Sequence, residues 1–108
     1  MSASEPTIRT LRALATPARM EMCWLLVQGE RTVSGIVEEL GLSQSLVSHH
    51  LAALREVGLV EARRDGSWMV YRLRPEPLAA ATEELGGLVE AWERRWEPKA
   101  RRGTHAAR

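Results

Sequence analysis

The chain of 108 residues has room for one domain with a modest core, and its apolar and charged fractions, 44% and 27%, are ordinary for a globular protein. A single cysteine excludes an intramolecular disulfide, and no apolar run approaches the roughly 20 residues of a membrane-spanning helix. Because residues 1–10 also lack the pattern of a signal peptide, we expect a cytoplasmic protein with no membrane partner.

The net charge of +1 hides an uneven distribution along the chain. Residues 41–74 carry five Arg against three acidic residues, and residues 75–97 are acidic. From Pro98 onward there are four basic residues and no acid. Clustered positive charge attracts phosphates even when the total is small, so this distribution is compatible with nucleic-acid binding.

The first two helices are predicted from apolar spacing and from one cap. Residues 1–6 are expected to be disordered, and apolar residues at helical spacing then predict a short helix from about Thr7. Thr16 followed by Pro17 is typical of an N-cap and a first helical position. The second helix therefore runs from there to about Gln28.

Two further helices are joined by a glycine turn. Thr32 caps a third helix that continues through Leu40. Gly41 supplies the left-handed residue of the turn, and Ser43 caps a fourth helix that ends near Val57. Two helices joined in this way form a helix-turn-helix unit, whose second helix normally enters the major groove of DNA.

The fourth helix is apolar on the side of Val47, while its opposite side carries short polar residues. At about 100° per residue, the apolar residues and the short polar residues lie on opposite sides of the helix. Short side chains let a helix backbone approach another surface closely, and a major groove admits one helix that reads base edges with polar groups. His50 lies on the flank, where we expect a structural hydrogen bond to a neighbouring helix. The residues predicted to contact DNA from this helix are Gln44, Ser45, Ser48 and His49.

A β-hairpin follows the fourth helix. Two β-rich runs, Leu59–Arg64 and Ser67–Arg74, are separated by an Asp-Gly pair, a strong signal for a two-residue turn. With that pair in the turn, the predicted cross-strand pairs are Arg64 with Ser67 and Arg63 with Trp68. The residues predicted to face the helices are Val60, Ala62, Met69, Tyr71 and Leu73.

The other face of the hairpin is basic. Trp68 lies there between arginine side chains, which suggests a stiff wing, supported by cation–π contacts, that follows a phosphate backbone. A solvated hairpin without a ligand is the alternative, and its position beside a polar helix face favours DNA contact. The residues predicted to contact the DNA backbone are Arg63 and Arg72 on this face, together with Arg64.

The last helix begins after Pro75 and carries an apolar stripe at steps of three and four residues from Leu78 to Trp96. A small domain cannot easily cover this much apolar surface, so the stripe favours burial against a partner. The ordered domain is predicted to span residues 7–97, and residues 98–108 are predicted to form a flexible basic tail.

The chain resembles the ArsR/SmtB family of bacterial winged-helix repressors from about Ile8 to Trp96. The matching stretches are Leu14–Arg19 (LATPAR), Leu42–Leu51 (LSQSLVSHHL), Leu54–Val60 (LREVGLV), Arg63–Gly66 (RRDG) and Tyr71–Leu73 (YRL).

This resemblance implies a mostly helical winged helix-turn-helix fold with a small β-hairpin wing. It implies a homodimer built from the first and last helices, which represses its own operon at an inverted-repeat operator in double-stranded DNA and releases it when an inducer binds. The dimer-interface residues that follow from it are Ile8, Leu11, Leu85, Leu88, Trp92 and Trp96.

The resemblance does not extend to metal ligands. Thiolate sensors of the family carry a Cys-x-Cys pair at the start of the third helix, where this chain has Thr32 and Ser34. Zinc sensors carry Asp and His on the last helix, where residues 77–97 contain neither. We therefore predict no metal site and no cofactor, and the inducer stays unidentified.

Two other interpretations remain open. Cys23 is expected to be a small buried apolar residue, but with His105 it would allow a metal- or thiol-responsive sensor. Winged helices also serve as protein-interaction modules, which the low net charge favours and the basic wing disfavours. An enzyme is not expected: Ser48 adjoins His49, but nothing in the sequence orients a base and no oxyanion-hole motif is present.

Overall fold

A computed structural model describes residues 4–99 of the chain. Within this range five helices and three strands build a mostly helical winged helix-turn-helix, as predicted. The other residues, 1–3 and 100–108, include half of the predicted disordered N-terminus and most of the predicted basic tail. The elements are α1 (Glu5–Leu14), α2 (Pro17–Val27), β1 (Arg31–Thr32), α3 (Val33–Leu40), α4 (Gln44–Glu56), β2 (Val60–Asp65), β3 (Trp68–Leu73) and α5 (Glu76–Lys99).

The first helix begins earlier than the sequence predicted. Ser4 is its N-cap, and the Ser4 hydroxyl accepts a hydrogen bond from the Thr7 amide at 3.2 Å. The cap satisfies an amide that helical geometry leaves without a partner, so Glu5 and Pro6 are helical rather than disordered. At the other end of the domain, α5 extends two residues past the predicted boundary at residue 97.

The helix-turn-helix follows the predicted caps. Thr32 Oγ1 accepts from the Gly35 amide at 3.1 Å at the start of α3, and Ser43 Oγ accepts from the Leu46 amide at 3.2 Å at the start of α4. Between the helices, Gly41 has φ +69°, a left-handed conformation that suits a residue without a Cβ. These local features fix where α4 begins.

The sheet contains a strand that the sequence did not predict. β1 pairs with β3, which also pairs with β2, so the antiparallel strand order is β1-β3-β2. A strand of two residues is too short to show an alternating pattern, and only its pairing defines it. Because Thr32 is both the end of β1 and the cap of α3, the wing is joined directly to the helix-turn-helix.

The predicted register of the wing is wrong by two residues. Asp65 pairs with Trp68 and Arg63 with Val70, so the two-residue loop is Gly66-Ser67 rather than Asp65-Gly66. Gly66, the first residue of this loop, has φ +63°, whereas Ser67 does not have a positive φ. This combination is that of a type II′ turn. A shift of two preserves the alternation of faces, so the five residues predicted to face the helices still share one face.

The core lies between α2, α3, α4 and the sheet. Its largest fully buried side chains are Met22, Ile36, Leu51, Leu54, Leu59, Val47 and Val60. α1 packs beside the N-terminal half of α5, where Glu84 accepts from the Ser4 amide at 3.0 Å and Ala81 is buried. Across residues 4–99, no helix combines the length and apolar character needed to span a membrane.

Candidate nucleic-acid interface

The outer face of α4 carries the four polar residues predicted to enter a groove. Val47, Leu51 and Leu54 of the same helix are almost completely buried, which orients the helix and leaves the opposite side in solvent. This face carries two polar residues in each of its first two turns and no long charged side chain in its first half. The four side chains, all exposed, belong to Gln44, Ser45, Ser48 and His49.

The two adjacent histidines of α4 have different surroundings. His49 is exposed, whereas His50 is only 7% exposed and its Nδ1 accepts a hydrogen bond from Arg19 Nε of α2 at 3.0 Å. The predicted structural hydrogen bond of His50 to a neighbouring helix is thus confirmed. Burial, and then the charges of Arg19 and His49, lower the pKa of His50 below its usual value of 6.5. His50 is therefore neutral at pH 7.

An open groove runs beside α4 toward the wing. It is lined by Ser48, His49, Leu51, Ala52, Ala53, Arg55, Glu56 and Tyr71. Two residues of this lining, Arg55 and Tyr71, are candidate DNA contacts that the sequence did not predict. Arg55 is an exposed cation in the last turn of the helix, which its sequence position could have indicated, while Tyr71 was assigned only to the inner face of the hairpin. Both are suited to contact a phosphate or sugar at the edge of the groove.

The three predicted wing arginines are not equivalent. Arg63 Nη2 lies 2.6 Å from Glu30 Oε1, and Arg72 Nε lies 2.5 Å from Glu61 Oε2. Arg64 has no ion pair within residues 4–99, and it lies on the face of the wing that also carries Tyr71. Arg64 is therefore the wing arginine whose charge is least compensated inside the protein.

Two carboxylates, Glu61 of the wing and Glu30 beside it, accept hydrogen bonds from arginines of the wing region. Glu61 accepts from Arg72 and also from Arg74 Nη1 at 2.6 Å, and these hydrogen bonds lower the pKa of Glu61. A hydrogen bond to Glu30 raises the pKa of Arg63 in the same way. Since these pairs are exposed, they orient the arginines more than they stabilise the fold.

Trp68 is not between two arginines, contrary to the prediction. It lies directly opposite Asp65, next to the turn, and Arg63 is two residues further along the ladder. Trp68 is 61% exposed. The face assignment stands, because Trp68, Arg63 and Arg72 remain on the outer face, but the proposed arginine–tryptophan sandwich has no basis in this register.

The apolar stripe of α5 divides into two parts. Leu78 packs against the core and Ala81 is buried, whereas the stripe beyond them is exposed. The rings of Trp92 and Trp96 are neighbours in a tilted arrangement, with centroids 5.9 Å apart and an interplanar angle of 33°. Of the other predicted dimer residues, Ile8 and Leu11 are half-buried on α1. The exposed stripe is Leu85, Leu88, Val89, Trp92 and Trp96, of which Val89 was not predicted.

Cys23 is a packed core residue. It is 5% exposed, and burial raises the pKa of its thiol, which favours the protonated form over the thiolate that binds metals. No three His, Cys, Asp or Glu side chains converge in the part of the chain that the structure describes. His105, the proposed partner of Cys23 in a sensor, lies outside the described residues.

Comparison with known proteins agrees with this geometry. Residues 16–62 match the model of the arsR family of bacterial regulatory proteins. The chain is 39% identical over 92 residues to the arsenic resistance transcriptional regulator ArsR1 of Pseudomonas putida, covering 84% of this chain and 72% of that one. It is 45% identical over 67 residues to the probable mercury resistance operon repressor of Streptomyces lividans, covering 62% of this chain and 54% of the repressor.

Solved structures share the fold. An ArsR-like transcriptional regulator from Rhodococcus sp. RHA1 superposes with a TM-score of 0.80 at 24% identity, covering 91% of this chain and 92% of that one. The homodimeric winged helix-turn-helix DNA-binding domain of Mb0332 from Mycobacterium bovis gives a TM-score of 0.65 at 35% identity, covering 86% and 84%. The chain therefore belongs to the ArsR family of bacterial transcriptional regulators, a family of DNA-binding proteins and not of enzymes.

Proposed function

We propose that the protein is a homodimeric repressor that binds an inverted repeat in double-stranded DNA, most simply the operator of its own operon. The observation that carries this proposal is the exposed face of α4, where Gln44, Ser45, Ser48 and His49 stand opposite a completely buried apolar face. A DNA target implies a cytoplasmic location. The DNA-binding domain comprises the helices and strands from Glu5 to Lys99.

In the proposed complex α4 lies in the major groove and the wing lies along the backbone. Gln44 is the residue best suited to discriminate bases, because an amide pairs bidentately with adenine, whereas Ser reads bases weakly. Arg64 and Arg55 supply charge for phosphates. Most of the affinity then comes from phosphate contacts and falls with salt, while sequence preference comes from α4.

In a homodimer the second subunit supplies a second α4, which can bind the other half of the inverted repeat. The exposed part of the α5 stripe contains two tryptophans and three aliphatic residues, which a second copy would bury. Two-fold symmetry places the two α4 helices in successive major grooves about 34 Å apart. The homodimeric state of the Mycobacterium bovis relative supports this arrangement.

The inducer is not carried over from the relatives. Two of them are named for mercury and arsenic, ions that prefer thiolates. At the start of α3 this chain has Thr32 and Ser34, and the Thr32 hydroxyl is already engaged as the helix cap. We therefore propose a repressor whose release from DNA does not depend on a metal ion.

Fluorescence anisotropy tests the proposal directly. The full chain is titrated onto the duplex upstream of its own gene and onto a scrambled duplex of equal length and composition, at two salt concentrations. Tight, salt-dependent binding with a preference for the native duplex would support a sequence-specific autoregulator. Equal affinity for the two duplexes would overturn autoregulation, and no binding to either would overturn DNA binding and favour a protein-interaction module.

A further inference from the structure

We propose that Arg19 is a positioning residue for DNA recognition: its guanidinium ties the end of α1 to His50 and so sets the orientation in which α4 presents its polar face. This inference rests on the proposed DNA-binding function and goes beyond it, because Arg19 itself lies on α2 and not on the exposed face of α4. It assigns a role to a residue outside the predicted DNA contacts.

The geometry of Arg19 connects three helices. Its Nε donates to Nδ1 of His50 on α4 at 3.0 Å, and its Nη1 donates to the carbonyl oxygen of Ala13, in the last turn of α1, at 3.3 Å. Ala13 and His50 are both buried. Among the described residues, the Arg19–His50 bond is the side-chain hydrogen bond that joins α4 to another helix. The Ser43 cap, by contrast, bonds only within the first turn of α4 itself.

The chemistry of the bond requires a neutral His50. Nδ1 can accept only when it carries no proton, so the proton of the neutral ring resides on Nε2. A protonated ring would present a donor to a guanidinium and add a like charge beside it. The charged groups that act on His50 are Arg19 of α2 and His49 of its own helix. The recognition helix is thus held by a contact that exists in one protonation state.

The neighbouring residue explains why orientation matters for DNA. His49 lies on the groove face, and its ring centroid is 5.7 Å from that of His50. A rotation of α4 that followed loss of the Arg19 contact would therefore move a predicted base-contacting residue together with His50. Base contacts depend on sub-ångström placement, whereas phosphate contacts by flexible arginines do not, so specificity suffers before affinity.

The first test uses the full chain without DNA. Long-range 1H–15N spectra report the tautomer of each histidine, and the wild type is expected to show His50 protonated at Nε2 with Nδ1 as an acceptor. Arg19→Met removes both donors and is expected to shift the His50 signals, while Arg12→Met, which removes an equally charged but exposed residue of α1, leaves them in place. Unchanged His50 signals in Arg19→Met would overturn the inference, whatever the protein binds.

The second test measures the ratio of affinities for the preferred duplex and a scrambled duplex. Arg19→Met and His50→Phe are each expected to lower this ratio about tenfold, as for one lost hydrogen bond from a charged group, with no greater loss in the double variant. His50→Asn keeps an acceptor near the Nδ1 position and is expected to retain the ratio. Circular dichroism of each variant shows that it is folded.

The pH profile separates positioning from simple structural support. As the pH falls below the lowered pKa of His50, the ratio is expected to fall for the wild type and to change less for His50→Asn; both proteins keep His49, so its contribution cancels in the comparison. Parallel losses on both duplexes, or identical pH profiles, would overturn the inference. A wild type without any preferred duplex would overturn the proposed function, even if the His50 tautomer were as expected.

Discussion

Arg63 and Glu30 form an ion pair of 2.6 Å that joins the wing to the segment between α2 and β1. Arg64, the next residue along the chain, has no such partner within residues 4–99 and points from the opposite face of the hairpin. A phosphate approaching Arg63 must compete with a carboxylate that already holds it. The two adjacent arginines therefore differ in what they can contribute to DNA binding.

Replacement of Arg64 with Ala is expected to weaken binding to all duplexes alike and to reduce the slope of log K against log salt by about 0.9, the contribution of one phosphate contact. Arg63→Ala is expected to change the salt slope less, because Glu30 already holds the Arg63 guanidinium and a phosphate would have to displace that carboxylate. Salt titrations of both variants on native and scrambled duplexes provide the measurement. Equal slopes for the two variants would contradict this ranking.

Gln44→Ala is expected to relax base preference and leave the salt slope unchanged. The amide of Gln44 can make two hydrogen bonds to an adenine edge, and such a pair is worth about 1–3 kcal/mol of discrimination. Competition binding with single-base variants of the preferred site measures the loss at each position. Ser45→Ala is the matched control on the same face, with a smaller expected effect, and a uniform loss over all positions would argue against a base contact.

Trp92→Glu is expected to convert the proposed dimer to a monomer, because it places a charge in the exposed apolar stripe of α5. Ala91→Glu adds the same charge one residue earlier, about 100° around the helix and off the stripe. Sedimentation velocity at several concentrations compares the two. A dimeric Trp92→Glu protein, or a wild type that is monomeric at all concentrations, would show that α5 does not form the interface.

Two glycines are expected to respond to alanine in opposite directions. Gly41 has φ +69° with open space around it, so Gly41→Ala introduces only backbone strain, about 1–2 kcal/mol of destabilisation. Gly87 is helical, with nothing within 4 Å of an added Cβ, so Gly87→Ala is expected to stabilise the protein by about 1 kcal/mol. Chemical denaturation measures both, and a destabilised Gly87→Ala dimer would indicate that the partner approaches α5 there.

Acid is expected to destabilise the fold through His50. Its pKa is lowered in the folded protein, chiefly by burial and then by Arg19, and returns to about 6.5 when the chain unfolds. Between these two values the unfolded chain binds more protons, so the free energy of unfolding decreases as pH falls below about 6.5 and stops decreasing below the folded-state value. Melting temperatures from pH 7.5 to 5 are expected to show this loss, and His50→Asn should reduce it.

The helix-turn-helix was predictable because its determinants are local. Thr32, Gly41 and Ser43 each act within four residues of their own position, and the structure shows all three in the predicted roles. The hairpin turn was only partly predictable. An Asp-Gly pair is compatible with two placements of the loop, and the choice depends on whether Asp65 or Ser67 shares the turn with glycine.

The remaining features depend on contacts distant in sequence. β1 is defined by its pairing with β3, some 40 residues away. The Glu30–Arg63 ion pair joins residues 33 positions apart, and neither its existence nor its effect on the wing follows from local patterns. For His50 the flank position on the helix predicted a structural hydrogen bond, whereas its partner Arg19 became known only from the packing of α2 against α4.

The short strand β1 affects how the protein would respond to the shape of DNA. Its second residue, Thr32, is also the cap of α3. The sheet that carries Arg64 is therefore linked to the helix-turn-helix through the backbone at Thr32 and through the hydrogen bonds between β1 and β3. The distance from the groove face to the wing is then a property of the rigid domain. Duplexes whose groove width differs from that length are expected to bind less well even at positions where no base is contacted, so the domain is expected to discriminate DNA by its shape.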